Sequence, residues 1–519
     1  MKLKKYLLGL AITVLLILTG CSTQLSSDDE SSNDAQAADA DTLIIARLSD
    51  AENLDHQFMS TINAASVTHG KVYEGLVGRD KNAEFVPLLA ENWEQISDTV
   101  WEFSLREDVT FHDGEPFTSE AVKKTFERLL DPNVGSPRAG ALSMVQEIKV
   151  VDNHTVQFIL SESYAPLLSI LASHESGIIS PKAIERFGKE LINEPVGTGP
   201  FRFEHWKPGQ EIVLVRNEEY WGSASELAKV VFKVVPEETT RVSMIETGEA
   251  HVTEPLSVTM METVENSSSS DLYRSESYGT EYLGFNVSKP PFDNVLLRKA
   301  VGHAIELNSI RKGVFNNVGG VANSLLGSKV FGYDETMQPY SYNLDEAKRL
   351  MAEAGYKDGL TIKLTTMDSK ERINLAEVIQ SQLKGIGITV EIEVLEYGTF
   401  VDTTNSGNTE MYILSWRNAT GDADYNQYNL LHSSTHGAGG NRFFYANPQV
   451  DEWIEQARQE MDSDKRVELY SKAQHKQMED ALYIPVRVIE NVAAVHKNVE
   501  GFDIAPAGYI DLSTTRINN

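Results

Sequence analysis

The chain has 519 residues, 41% of them hydrophobic, and carries 76 acidic against 46 basic side chains, a formal net charge of −30. A surface this acidic repels phosphate backbones, which excludes nucleic acid as a natural partner, and the single cysteine, Cys21, excludes an internal disulfide. The length suits two or three domains, each with its own core.

The first elements are those of an export signal. Lys2, Lys4 and Lys5 form a charged start, Tyr6 to Leu18 is an apolar run, and Leu18-Thr19-Gly20-Cys21 follows with small residues before the cysteine. The run is shorter than the roughly 20 residues of a spanning helix. It resembles the signal and lipobox of bacterial lipoproteins, which implies cleavage after residue 20 and a lipid on Cys21. Residues 22–40 are Ser, Asp, Asn, Gln and Ala with almost no large apolar side chain, the composition of a tether.

Folding is expected to begin at Thr42-Leu43-Ile44-Ile45-Ala46. Trp101 to Leu105 alternates with the period of a half-buried strand. Ser119 to Leu130 places Val122, Phe126, Leu129 and Leu130 on one helical face, with Thr118 or Ser119 as N-cap and Asp131-Pro132 as the stop. Thr155 to Leu160 and Ile212 to Val215 read as strands, and Glu262 to Ser270, without periodicity, as a loop. Asn343 and Glu346 form a capping box ahead of a helix that Gly355 ends. Leu360 to Thr366, Glu371 to Lys384 and Ile388 to Val394 read as strand, helix and strand, a parallel pair with a crossover. Asn447-Pro448 opens a further helix with proline at its first position, and Asp462 to Asp480 is another. The pattern predicts α/β lobes around a cleft, where small ligands usually bind.

Sequence motifs of catalysis are missing. There is no phosphate loop, dinucleotide turn, nucleophile elbow or His-Glu-x-x-His. Asp422, Asp424 and Asn426 have the spacing of a calcium loop, but Gln427 and Ser433 stand where its glycine and bidentate glutamate belong. His432 and His436 lie in a Ser- and Gly-rich stretch and fall short of a ligand set, so they read as solvated loop histidines. No metal and no cofactor is expected.

Residues 99–128 read TVWEFSLREDVTFHDGEPFTSEAVKKTFER. Phe103, Leu105, Arg106, Phe111, Asp113, Gly114, Phe117 and Val122 match the signature of the family-5 extracytoplasmic solute-binding proteins, the peptide and nickel receptors of ABC importers. Ser119-Glu120-Ala121-Val122 departs from the usual Ala-Asp-Asp-Val. Asn53-Leu54-Asp55, Tyr73-Glu74-Gly75-Leu76, Gly197-Thr198-Gly199-Pro200-Phe201, Tyr220-Trp221, Phe285-Asn286 and Leu297-Arg298-Lys299-Ala300 resemble further landmarks of that family in the same order. The resemblance implies an α/β periplasmic-binding-protein-like fold (type II, cluster C) with a hinge-closed cleft. Residues 42–77, 175–278 and 486–519 would form a discontinuous lobe I, 78–174 an extra domain II and 279–485 a lobe III, after a signal peptide at 1–20 and a lipidated tether at 21–41.

Within the family, residues 411–431 are most similar to glutathione- and oligopeptide-binding members. In peptide binders an aspartate after the tryptophan pairs with the ligand ammonium. That role falls on Asp424 or Asp422, both of which also suit a turn or helix cap. Trp416 would wall the pocket or pack in the core. The backbone of 415–417 would pair with an extended ligand. Arg417 and Arg138 are candidates for a ligand carboxylate, and Tyr425 and Tyr282 for the pocket wall. His69, His112 and His174 read as structural. The resemblance thus implies a monomeric, non-enzymatic receptor, lipid-anchored on the outer face of the cell membrane, that captures short peptides for a permease and ATPase. A metal-chelate receptor is the first alternative, and an extracytoplasmic hydrolase or chaperone-like protein a remote one.

Overall fold

A computed structural model describes residues 41–80 and 83–518; the expected signal peptide, Cys21 and nearly all of the tether lie outside them. The largest element is a ten-stranded sheet. Its strands, in chain order, are β1 (Thr42–Arg47), β2 (Phe201–Lys207), β3 (Glu211–Arg216), β4 (Lys229–Val234), β5 (Val252–Glu254), β6 (Ser270–Phe285), β7 (Leu360–Met367), β8 (Ile388–Leu395), β9 (Met411–Trp416) and β10 (Tyr483–His496). Across the sheet they run β8-β7-β9-β6-β10-β5-β1-β4-β3-β2.

Two long strands hold this sheet together. β6 and β10 pair antiparallel along their length, from Ser270↔His496 to Gly284↔Tyr483. At one end β10 pairs with β5 (Val252↔Val495), and at the other β6 pairs with β9 (Thr280↔Trp416). The register shifts between Glu276 and Thr280, where Ser277, Tyr278 and Gly279 leave the ladder. Ser277 Oγ donates to the Ile489 carbonyl at 2.7 Å and accepts from Gly279 N at 3.0 Å, so this irregular turn is itself hydrogen-bonded. Trp416 sits directly opposite Thr280, where the ladder resumes.

The expected crossover is present: β7 and β8 pair in parallel from Leu360↔Ile388 to Met367↔Leu395, joined by the helix Lys370–Leu383. Leu364, Ile379 and Ile413 are fully buried in the core it covers. A separate four-stranded sheet runs Ala90–Ser97, Val100–Leu105, Thr155–Leu160, Val145–Asp152. Trp101, Phe103 and Leu105 alternate inward there, as their period predicts. Phe158 meets Phe103 and Phe126 edge-on at 5.4 and 5.2 Å. Burying each such ring is worth about 1.5–3 kcal/mol.

The helix Ser119–Leu130 has the expected bounds, but Thr118 makes no side-chain cap bond. Asn343 does cap its helix, accepting from Glu346 N at 3.1 Å. One expectation needs correction: 262–270 is not simply a loop, because Met261–Glu265 is a short helix and Ser270 begins β6. Met261 and Val264 are buried there. Two apolar residues anchor a single turn that is too short to show a period.

Candidate ligand-binding site

The segment after β9 is built as a rigid turn. Asn418 accepts from Thr420 N (2.9 Å) and Gly421 N (2.7 Å) and donates to the Asp422 carbonyl (2.7 Å) and Asn426 Oδ1 (3.0 Å). Gly421 has φ +70°, and a Cβ there would lie 3.0 Å from the Tyr278 ring, so glycine is required. The turn delivers Asp422 to the N-cap of the helix Ala423–Leu431, where it accepts from Asp424 N at 2.9 Å.

The two aspartates have different partners. Asp422 is held bidentately by Arg466 at 2.9 and 2.7 Å and accepts from Ser169 Oγ at 3.2 Å. Its carboxylate is consumed by the fold. Asp424 faces a cavity of about 520 Å³ whose wall also contains Arg138, Glu175, Trp416, Tyr425 and Arg458. Its Oδ1 lies 3.1 Å from Arg458 Nε, and Tyr164 Oη donates to its Oδ2 at 3.2 Å. Across the cavity Arg138 Nη1 lies 3.3 Å from Glu175 Oε1, while Arg138 Nε donates to the Met59 carbonyl at 2.9 Å. Two ion pairs thus line one chamber.

Burial raises the pKa of Asp424, with Arg458 opposing the rise and Asp422 adding to it. Glu175 is likewise raised by burial against Arg138. Burial also pushes Tyr425 up to about 12. Three buried polar atoms on this wall have no hydrogen-bond partner of good geometry: Trp416 Nε1, Asp424 Oδ1 and Arg458 Nε. The last two attract one another as charges but are not aligned as donor and acceptor. Unmade hydrogen bonds at buried charged groups are costly, so the polar groups behind this wall are not fully satisfied by the protein alone. Trp416 and Tyr425, with ring centroids 5.7 Å apart, add an aromatic surface.

Of the residues singled out from sequence, the structure gathers Asp424, Trp416, Tyr425 and Arg138 around this cavity. Asp422 stands behind it. Arg417 borders a different cavity, and Tyr282 is fully buried in a core with Phe443 and Tyr483. Glu175, Arg458 and Tyr164 were not visible from sequence: no motif marks them, and each reaches the cavity only through packing of distant segments. His432 also differs from expectation. It is buried, stacked on Tyr428 at 4.7 Å and 3.1 Å from Glu455, because the helix Pro448–Gln459 covers it. His56 and His69 are buried too, and burial pushes their pKa values down to about 4 and about 3. Among the described residues no group of three His, Cys, Asp or Glu side chains is placed to hold a metal, and no helix is long and apolar enough to cross a membrane.

The mixed α/β fold that carries this polar, aromatic-walled chamber matches that of solved periplasmic binding proteins of the type II fold. Sequence comparison agrees. The model of the bacterial extracellular solute-binding proteins, family 5 (middle region), matches residues 84–438, and the chain belongs to that family. It is 30% identical over 446 residues to the glutathione-binding protein GsiB of Salmonella typhi, covering 84% of this chain and 86% of that one. Among solved structures it is similar to the periplasmic binding protein DppA from Helicobacter pylori in complex with the peptide STSA (TM-score 0.81, 28% identity, 92% of this chain and 98% of that one). The dipeptide-binding protein from Pseudoalteromonas sp. SM9913 in complex with Met-Leu gives TM-score 0.82 at 25% identity, covering 92% and 100%. NikZ from Campylobacter jejuni in complex with Ni(L-His), at 21% identity and TM-score 0.80 over 91% and 97%, shares the fold. Solute-binding proteins of this family are not enzymes.

Proposed function

We propose that this protein is a lipid-anchored receptor that captures short peptides, a glutathione-like tripeptide foremost, for an ABC permease and ATPase complex. The observation that carries the reading is the chamber beside Trp416, whose wall offers Asp424 to an ammonium and Arg138 and Arg458 to a carboxylate. A short peptide presents an ammonium at one terminus and a carboxylate at the other, and each needs a counter-ion once desolvated. The names of the similar proteins, which bind glutathione, a tetrapeptide and a dipeptide, support the same class of solute. Of the two aspartates we assign the ammonium to Asp424, because it lines the chamber, whereas Asp422 stands behind it and is held bidentately by Arg466. Trp416 and Tyr425 would contact the solute side chains, and the backbone of 415–417 would pair with an extended ligand.

Residues 42–77, 175–278 and 486–519 would move as one lobe against 279–485, with 78–174 as the extra domain. The two-strand link through β6 and β10 supports a hinge there. The receptor would act as a monomer. Isothermal titration with glutathione and a panel of di- to tetrapeptides should show micromolar or tighter binding for at least one of them. Heat only with Ni(II)-histidine would transfer the reading to a metal-chelate receptor. The lipobox-like Leu18-Thr19-Gly20-Cys21 supports attachment to the outer face of the membrane. Cys21→Ser is expected to release the protein from the membrane fraction, and continued association would remove the anchor from the proposal.

A further inference from the structure

Neighbouring side chains at the end of a strand point to opposite faces. Trp416 therefore faces the cavity described above, and Arg417 faces another, of about 300 Å³. This second cavity lies between the two halves of the large sheet. Arg47 of β1 and Glu254 of β5 border it from one half, Arg417 from the other, and Asn491 of the linking strand β10 stands between them.

The glutamates of its wall are already engaged. Glu254 holds Arg47 at 2.8 Å, Glu490 holds Arg274 at 2.7 Å, and Glu371 pairs with Arg487. Behind the wall, Glu281 is shared by Arg487 at 2.7 Å and Arg372 at 2.9 Å. Arg417 differs. Among the described residues its guanidinium donates to the neutral Asn491 Oδ1 at 3.0 Å and makes no ion pair. Burial pulls its pKa down, with Glu254 opposing the shift and Arg487 adding to it. Arginine does not give up its proton in a protein, so a half-buried positive charge borders this cavity without a carboxylate partner.

We infer that this cavity is a second ligand site, which receives one carboxylate of a small organic acid on the guanidinium of Arg417. A planar carboxylate matches the fork of donors. A doubly charged anion is disfavoured, because Glu254, Glu371 and Glu490 share the wall and would repel the second charge. The volume suits a small group. Since Arg47 and Arg417 belong to different halves of the sheet, an acid held here also bridges them across the β6–β10 link. The carboxylate belongs to a separate acid or to the far end of the solute in the first cavity, and the inference does not depend on which solute that is.

The test is titration of the mature chain with propionate, propionamide, inorganic phosphate and glutathione. Propionate is expected to bind saturably, with propionamide and phosphate giving no heat. Arg417→Met should weaken propionate at least tenfold and Arg417→Lys by less. Alternatively propionate alone gives no heat, but Arg417→Met weakens glutathione at least tenfold and has no further effect on glutathione amidated at its glycyl carboxylate. The solute then supplies the carboxylate, and the site stands. Equal propionate binding by the wild type and both Arg417 variants overturns the inference. So does a set of natively folded Arg417 variants, judged by circular dichroism and melting temperature, that changes neither ligand.

Discussion

Asp424→Ala is expected to weaken binding of a peptide with a free α-amine about thirty-fold or more, and to leave its N-acetylated analogue nearly unchanged. Removing one side of a desolvated charge pair costs about 2–5 kcal/mol, and every 1.4 kcal/mol is about tenfold in affinity. Asp424 meets the conditions for such a cost. It is 6% exposed, lies in the wall of the chamber beside Trp416, and has one oxygen without a well-aligned donor. Its partner Arg458 would remain behind in the same wall, so the variant chamber gains positive charge and repels an ammonium further. The acetylated analogue has no ammonium to lose. Titration of both ligands against wild type and variant checks the expectation, and equal losses would make Asp424 a structural residue. The same carboxyl carries a pH dependence. Burial raises its pKa, so the charged form is lost at a higher pH than for an ordinary aspartate. Affinity for the free amine should therefore fall as pH drops through that raised value, while the acetylated ligand is indifferent.

Asp422→Ala is expected to damage folding instead of recognition. Its carboxylate takes two hydrogen bonds from Arg466, which is itself 6% exposed, and caps the helix Ala423–Leu431. Breaking a buried ion pair by removing one partner costs about 3–5 kcal/mol, because the other charge stays buried and unpaired. Loss of the cap adds about 1 kcal/mol. The urea midpoint should fall accordingly, with the affinity of the remaining folded protein little changed. Combining Asp422→Ala with Arg466→Met removes both charges and should recover part of the loss, the coupling that a double-mutant cycle isolates. A variant of unchanged midpoint that no longer binds peptide would return Asp422 to the ligand.

The two aspartates show where reading from sequence stops. They lie two residues apart, and both suit a turn, a cap or a ligand contact. What separates them is that Asp424 lines the chamber and Asp422 does not, in a packing that involves Arg458 and Arg466 from two different helices some forty residues downstream. The same holds for Arg417 and Tyr282. An arginine next to the pocket tryptophan looks like a neighbour of the ligand, yet strand alternation turns it to the opposite face. A tyrosine on β6 looks available, yet it is packed beneath Phe443. Arg138 does line the chamber, but its partner Glu175, which pairs with it there, carried no local signal at all.

The α/β class, the parallel crossover of β7 and β8, the Asn343 cap and the family are legible in the chain, because periodicity, caps and family landmarks are local patterns spelled out residue by residue. Which charged side chains are spent on one another, and which face a chamber, is set by packing alone. That depends on pairings such as Asp424 with Tyr164, 260 positions apart. Burial is what makes each pairing, or its absence, matter energetically, and burial is a property of the packed molecule.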